Sequence, residues 1–157
     1  MRPRLLLLVV VGLAAVAALA PAGSGGPYVP VTATEKQQTR PLVDVTLGVY
    51  KSGETWRMCA LVSYRLLRED FRTRAGCRRS TRRHPAAPCR TCTFRISEVF
   101  GVYATAAART QRRKTIVWMV VVKGDPEWKG ESGLELRFIR ESDRWRLDYI
   151  LSDGIKR

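Results

Sequence analysis

Apolar and polar residues alternate over much of the C-terminal half of the chain. Residues 93–105 carry apolar side chains at alternate positions, interrupted only by Glu98, and this predicts a strand with one buried face. Residues 115–122, TIVWMVVV, are apolar without alternation. A strand of that kind is covered on both faces, so it needs a second layer or a partner chain.

Two more alternating runs follow, at residues 134–138 and 145–151. The polar pair Ser142 and Asp143 lies between them, which predicts an antiparallel hairpin with a tight turn. Residues 93–152 as a whole therefore predict a meander of about four strands.

The N-terminal half fits two interpretations. Residues 43–49 and 56–66 alternate, which predicts a hairpin that turns at KSGE and makes the protein an all-β sandwich or barrel. The same residues also fit two helices, the first capped by Thr39 with Pro41 just inside it and ending near Ser52 and Gly53. The second helix would carry on one side Trp56, Cys59, Ala60, Ser63 and Leu67. Periodicity alone slightly favours the strands.

The first 22 residues have the pattern of an export signal. Arg2 and Arg4 precede a sixteen-residue apolar run at residues 5–20, and small residues follow it. We expect residues 1–22 to be a signal peptide or an uncleaved anchor that sends the rest of the chain outside the cytoplasmic membrane. Residues 23–34 are rich in Gly and Pro and predict a flexible linker, which leaves residues 35–157 as a single domain.

Composition changes this picture mainly through charge. With 157 residues, 45% of them apolar, the chain can bury one ordinary hydrophobic core. Its formal net charge is +14, and 22 of the 28 basic residues are arginine. Loss of residues 1–22 would remove two arginines and leave +12. Outside the cytoplasm such a domain meets anionic lipid, cell-wall polymer or acidic protein, and no specific nucleic acid is predicted as a partner.

The arginines concentrate in two segments. One is a basic, cysteine-containing stretch at residues 72–92, predicted as a loop, and the other is a basic turn at residues 109–114. Either could be an ordinary solvated surface or a contact surface for an anionic partner. The residues expected in such a contact are Arg78, Arg79, Arg82, Arg83, Arg112, Arg113 and Lys114.

Four cysteines in an exported chain predict two disulfides, with three connectivities open. They are Cys59, Cys77, Cys89 and Cys92. A zinc site built on Cys89 and Cys92, completed by Cys77 with His84 or Cys59, is the alternative. Export disfavours thiolates, so no metal is predicted. A redox role for the CxxC pair is also disfavoured, because strand-like residues rather than a helix follow Cys92.

The segment VTLGVYKSGETWRMCALVSYRLLREDF resembles the opening of exported nuclear-transport-factor-2-like (SnoaL-like) domains of actinobacterial type, and RFIRESDRWRLDYI resembles their last hairpin. The resemblance implies the cystatin-like cone fold, in which helices pack into a curved antiparallel sheet and enclose a cavity. That makes the expected class α+β. It also implies a bond between Cys59 and Cys77. It predicts helix over residues 70–92, where Arg, Pro and Cys fit a helix poorly.

Catalytic groups are scarce. The one histidine, His84, lies in the basic stretch, and Glu98 is the single carboxylate expected to reach a cavity. We therefore predict no catalytic residue and no cofactor, and a non-catalytic exported accessory or binding domain, with a homodimer through the sheet as one arrangement. The alternatives are an all-β extracellular binding module and a small-molecule isomerase or cyclase that uses the cone cavity.

Overall fold

A layer of helices packs against one face of a four-stranded antiparallel sheet in the computed structural model, which describes residues 28–125 and 130–154. The helical elements are α1 (Ala33–Ser52), a 3₁₀ helix (Thr55–Ala60), α2 (Tyr64–Leu66) with a π turn (Leu67–Phe71), α3 (Arg74–Arg83) and α4 (Ala106–Thr110). The strands are β1 (Thr93–Val102), β2 (Thr115–Lys123), β3 (Glu131–Glu141) and β4 (Arg144–Gly154). The α+β class is confirmed, and the all-β alternative is wrong.

Helix α1 begins earlier than its sequence suggests. Thr32 is the N-cap, since its hydroxyl accepts a hydrogen bond from the Glu35 N–H while the Glu35 carboxylate accepts one from the Thr32 N–H. The expected cap, Thr39, is instead buried in mid-helix, where its hydroxyl donates to the carbonyl of Glu35. The predicted end is confirmed, because Gly53 takes the left-handed conformation that closes the helix.

The folded domain also starts before the expected boundary at Glu35. Val29 forms a two-way backbone bridge with Gly101 of β1, and the ring of Tyr28 packs edge-on against Phe100 at 4.6 Å. The expected linker therefore contributes its last residues to the fold. The expected signal segment lies outside the described residues. No helix in the part of the chain that the structure describes is long and apolar enough to cross a membrane.

The sheet has the strand order β1-β2-β3-β4, which confirms the predicted meander. Its inner face carries the core, in which Trp118 lies between Val99 of β1 and Leu136 of β3. The Trp118 indole N–H donates to the hydroxyl of Thr39, so the central strand is tied directly to α1. Fully buried side chains of this core include Val43, Ile116, Val120, Leu134, Phe138 and Leu147.

Residues 74–83 form a helix, so the prediction of a loop over residues 72–92 is wrong for this part. The Thr73 hydroxyl caps α3 by accepting from the Gly76 N–H at 3.0 Å. Arginine is a good helix former, and α3 contains no proline. Irregular chain starts only at His84, ahead of Pro85 and Pro88, which cannot continue a helix.

Candidate functional site: a basic helix beside an apolar cavity

A cavity of about 570 Å³ lies between the helical layer and the sheet. Small-molecule sites in proteins span roughly 300–1,000 Å³, so this space has the size of a ligand site. Its walls are mainly apolar and come from every layer of the fold. The lining side chains include Val49 and Tyr50 of α1, Met58, Phe71, Cys77 and Thr81 of α3, Leu134 of β3 and the segment 86–89.

Segment 86–88 forms one wall of the cavity and rests on the end of α1. A Cβ atom at Gly53 would lie 2.6 Å from the Ala86 carbonyl oxygen and 3.2 Å from the Pro88 nitrogen. The positive φ of Gly53, 74°, already favours glycine there. One glycine therefore both ends the helix and lets this wall approach it.

Two polar groups meet inside the apolar walls. Asp125 lies two residues after the end of β2 and is 8% exposed. Its carboxylate accepts a hydrogen bond of 2.6 Å from the Tyr50 hydroxyl. Hydrogen bonds to neighbouring carbonyls support both groups: the Cys89 N–H donates to the Tyr50 carbonyl, and the Thr91 side-chain hydroxyl donates to the Gly124 carbonyl. The carboxylate is thus held at a defined place on the cavity wall.

Both predicted disulfides are present, and the implied pairing of Cys59 with Cys77 is confirmed. This bond joins the 3₁₀ helix to α3 with a Cα–Cα distance of 5.9 Å. The second bond joins Cys89 to Cys92 within a short turn. None of the four cysteines is free.

The carboxylate of Asp125 and the sulfurs of Cys89 and Cys92 all lie within 4.8 Å of one another, a grouping that could hold a metal ion if the sulfurs were thiolates. They are joined in a disulfide, and Cys77 is bonded to Cys59. The zinc ligand set considered from the sequence is therefore not brought together, and His84 is exposed to solvent.

Helix α3 separates the cavity from a basic surface. Cys77 and Thr81, one turn apart, face the cavity, whereas Arg78, Arg79 and Arg83 are exposed. The guanidinium of Arg82 lies 5.0 Å from the centre of the Trp56 ring, a cation–π contact that fixes that side chain on the 3₁₀ helix. Ten residues of α3 include five arginines and no acid.

The basic residues of the turn at residues 109–114 differ in their exposure to solvent. Arg112 and Arg113 are exposed, as a contact surface requires, but the side chain of Lys114 is only 14% exposed. Its ammonium donates to the Glu35 carboxylate at 2.6 Å and to the Pro30 carbonyl at 3.0 Å. Lys114 therefore holds the start of α1 and does not fit the expected contact with an anionic partner.

Other candidate residues also differ from expectation. Glu98 sits at a bulge of β1 and is exposed, and it does not line the cavity. Two aromatic residues of the sheet differ in exposure: Trp118 is buried, whereas Tyr149 is 38% exposed and lines the cavity. The sequence interpretation missed Asp125 and Tyr50, because Asp125 belongs to a Gly-Asp-Pro stretch with the signature of an ordinary turn.

No family model matches the chain, and no curated protein and no solved structure matches it either.

Proposed function

We propose that the chain is an exported, non-catalytic binding domain of the nuclear-transport-factor-2-like cone type, and that α3 contacts anionic membrane lipid. The observation that carries the proposal is the arginine surface of α3, which has no acid within the helix. Each Lys or Arg close to an anionic bilayer contributes about 1 kcal/mol to binding. Arginine also forms two parallel hydrogen bonds to a phosphate group.

Binding to vesicles tests this proposal. We expect the full chain, purified without reductant, to bind vesicles that contain phosphatidylserine or phosphatidylglycerol and to release them as salt rises. The α3 triple variant carries Arg78→Gln, Arg79→Gln and Arg83→Gln. It should bind these vesicles about a hundredfold more weakly than the unmodified chain, because it loses about 1 kcal/mol of binding free energy per arginine. Arg82 is left unchanged, so the contact with Trp56 remains.

A matched control separates a specific surface from general charge. The turn triple variant removes the same number of exposed arginines from the other basic segment: Arg109→Gln, Arg112→Gln and Arg113→Gln. Affinity should fall much less in this variant. If both variants lose affinity equally, or if neutral vesicles bind as well as anionic ones, the proposal for α3 is wrong.

A small-molecule isomerase is the second candidate, and the pair formed by Asp125 and Tyr50 favours it. A carboxylate inside an apolar cavity is a candidate general base. Such a base would exchange α-protons of a bound apolar ketone with deuterium in D₂O, which mass spectrometry detects. Exchange that disappears in Asp125→Asn would support catalysis, and exchange no faster than in buffer alone would reject it.

The homodimer through the sheet stays a prediction. The outer face of β2 carries Val117, Met119 and Val121, which are buried or half-buried within one chain. Sedimentation equilibrium with the full chain at micromolar concentration measures the oligomeric state. A single species with the mass of one chain would exclude the dimer.

A further inference from the structure

Part of the cavity rim is apolar and exposed to solvent. Ala86, Ala87 and Pro88 line the cavity, and all three are exposed. Ile150 of β4 also lines it and is 37% exposed. Neighbouring exposed apolar residues of this kind mark sites where a ligand or a membrane makes contact. This rim offers an apolar group a way into the cavity.

The rim lies close to the arginine surface of α3. Arg83 is the last residue of α3, and Ala86 follows three positions later. Three residues of fully extended chain span at most about 11 Å, so the two surfaces cannot be far apart. Binding to a membrane surface becomes stronger both with buried apolar area and with attraction to anionic lipid. The arginines and the rim together meet both requirements.

We infer that the cavity accepts one acyl chain of an anionic phospholipid, which enters past segment 86–88 while the lipid phosphate contacts the arginines of α3. This inference rests on the membrane contact proposed above and adds a lipid-binding site to it. A phospholipid combines the two groups that the neighbouring surfaces favour, a hydrocarbon chain and a phosphate.

The described lining suits a hydrocarbon chain. Val49, Met58, Phe71 and Leu134 provide an apolar surface of mixed shape, and methionine adapts readily to different ligands. Each methylene group that leaves water for such surroundings improves affinity about fourfold. An acyl chain forms no hydrogen bond, so the bond from the Tyr50 hydroxyl to the Asp125 carboxylate can stay in place.

Photo-crosslinking locates the chain. The oxidised full chain is bound to phosphatidylglycerol vesicles in which part of the lipid carries a diazirine in the middle of one acyl chain. After irradiation, tandem mass spectrometry identifies the residues that carry an adduct. We expect adducts on residues that line the cavity, among them Met58, Phe71 and Leu134.

The vesicle measurement separates failure of this inference from failure of the membrane contact. Vesicle binding without an adduct on the lining, or with adducts confined to exposed residues of α3 and segment 84–88, would overturn the inference and leave the membrane contact standing. Absence of vesicle binding would reject the proposed contact, and the inference with it.

Alcohols of increasing length test the cavity without a membrane. N-phenyl-1-naphthylamine, an uncharged fluorescent probe of apolar sites, is displaced from the full chain by hexanol, octanol or decanol. We expect affinity to rise about fourfold for each added methylene group. Equal affinities for the three alcohols, or no displacement of the probe, would overturn the inference.

Two methionines provide a matched pair of variants. Met58→Glu places a carboxylate on the cavity wall and should weaken decanol binding at least about tenfold. Met119 is also half-buried but lies on the outer face of β2 and is not among the described lining residues, so Met119→Glu should change affinity less than about twofold. Equal effects of the two changes would overturn the inference. If Met58→Glu does not fold, the adduct positions on the unmodified chain decide.

Discussion

At the scale of single residues, Lys114 shows how position changes the role of a charge. Its stem fills the space that the absent side chain of Gly101 leaves, since a Cβ there would lie 2.7 Å from Lys114 Cδ. Its ammonium reaches the first turn of α1 at Glu35. Burial alone would raise the pKa of the Glu35 carboxyl, but hydrogen bonds from Lys114 and Thr32 outweigh burial and lower that pKa below 4.5.

This lowered pKa predicts how stability depends on pH. The Glu35 carboxylate stabilises the fold fully above the ordinary pKa of about 4.5, and the contribution disappears as pH falls through the lower pKa of the folded state. We therefore expect Glu35→Gln to reduce the free energy of unfolding at pH 7 by about 1 kcal/mol and to have little effect near pH 2. Urea titrations of both proteins at the two pH values measure this. A difference that is the same at both would contradict it.

The arginines and Asp125 show which residue roles a sequence can predict. The exposed arginines were predicted because exposure is the usual state of a charged side chain. The local sequence around Asp125 predicts an ordinary turn, and Tyr50, which donates a hydrogen bond to its carboxylate, lies 75 positions earlier in the chain. Only the packing of α1 against the end of β2 brings the two together, so no local pattern could predict the site.

At the scale of secondary structure, α3 is a helix with little apolar surface of its own. Cys77 is its one buried residue, and its arginines give no hydrophobic stripe that a sequence pattern could recognise. The Arg, Pro and Cys content of residues 72–92 therefore predicted a loop. Periodicity predicted the four strands of the meander correctly, but it slightly favoured strands at residues 43–49 and 56–66, where the structure has helices. The bond from Cys59 to Cys77 supplies the tertiary contact that the helix lacks.

The two disulfides should differ in their effect on stability. Loop-closure entropy assigns about 3 kcal/mol to the bond between Cys59 and Cys77, which are 18 positions apart, and roughly half as much to Cys89–Cys92, which are 3 apart. The double variant Cys59→Ala/Cys77→Ala should therefore be destabilised about twice as much as Cys89→Ala/Cys92→Ala in guanidinium titrations. All four residues are buried, so cavity effects are matched. Equal losses would show that chain entropy does not dominate.

At the scale of the whole molecule, α3 has two different faces. The cavity side of α3 contributes Cys77 and Thr81, and the solvent side carries the arginines. None of Arg78, Arg79 and Arg83 is among the described residues that line the cavity, so the two faces of the helix can be tested separately. Which face a residue occupies is a property of the folded chain, and net charge does not predict it.

The strand order of the sheet also has a kinetic consequence. Every strand pairs with its neighbour in the chain, and such local pairings form quickly because they close short loops. The contacts that complete the domain are more distant: Val29 meets Gly101, and Tyr50 meets Asp125. We expect the meander to form first and the helical wall to dock on it afterwards. The cavity between the two layers would then be the last part of the molecule to appear during folding and the first to be lost when the domain opens.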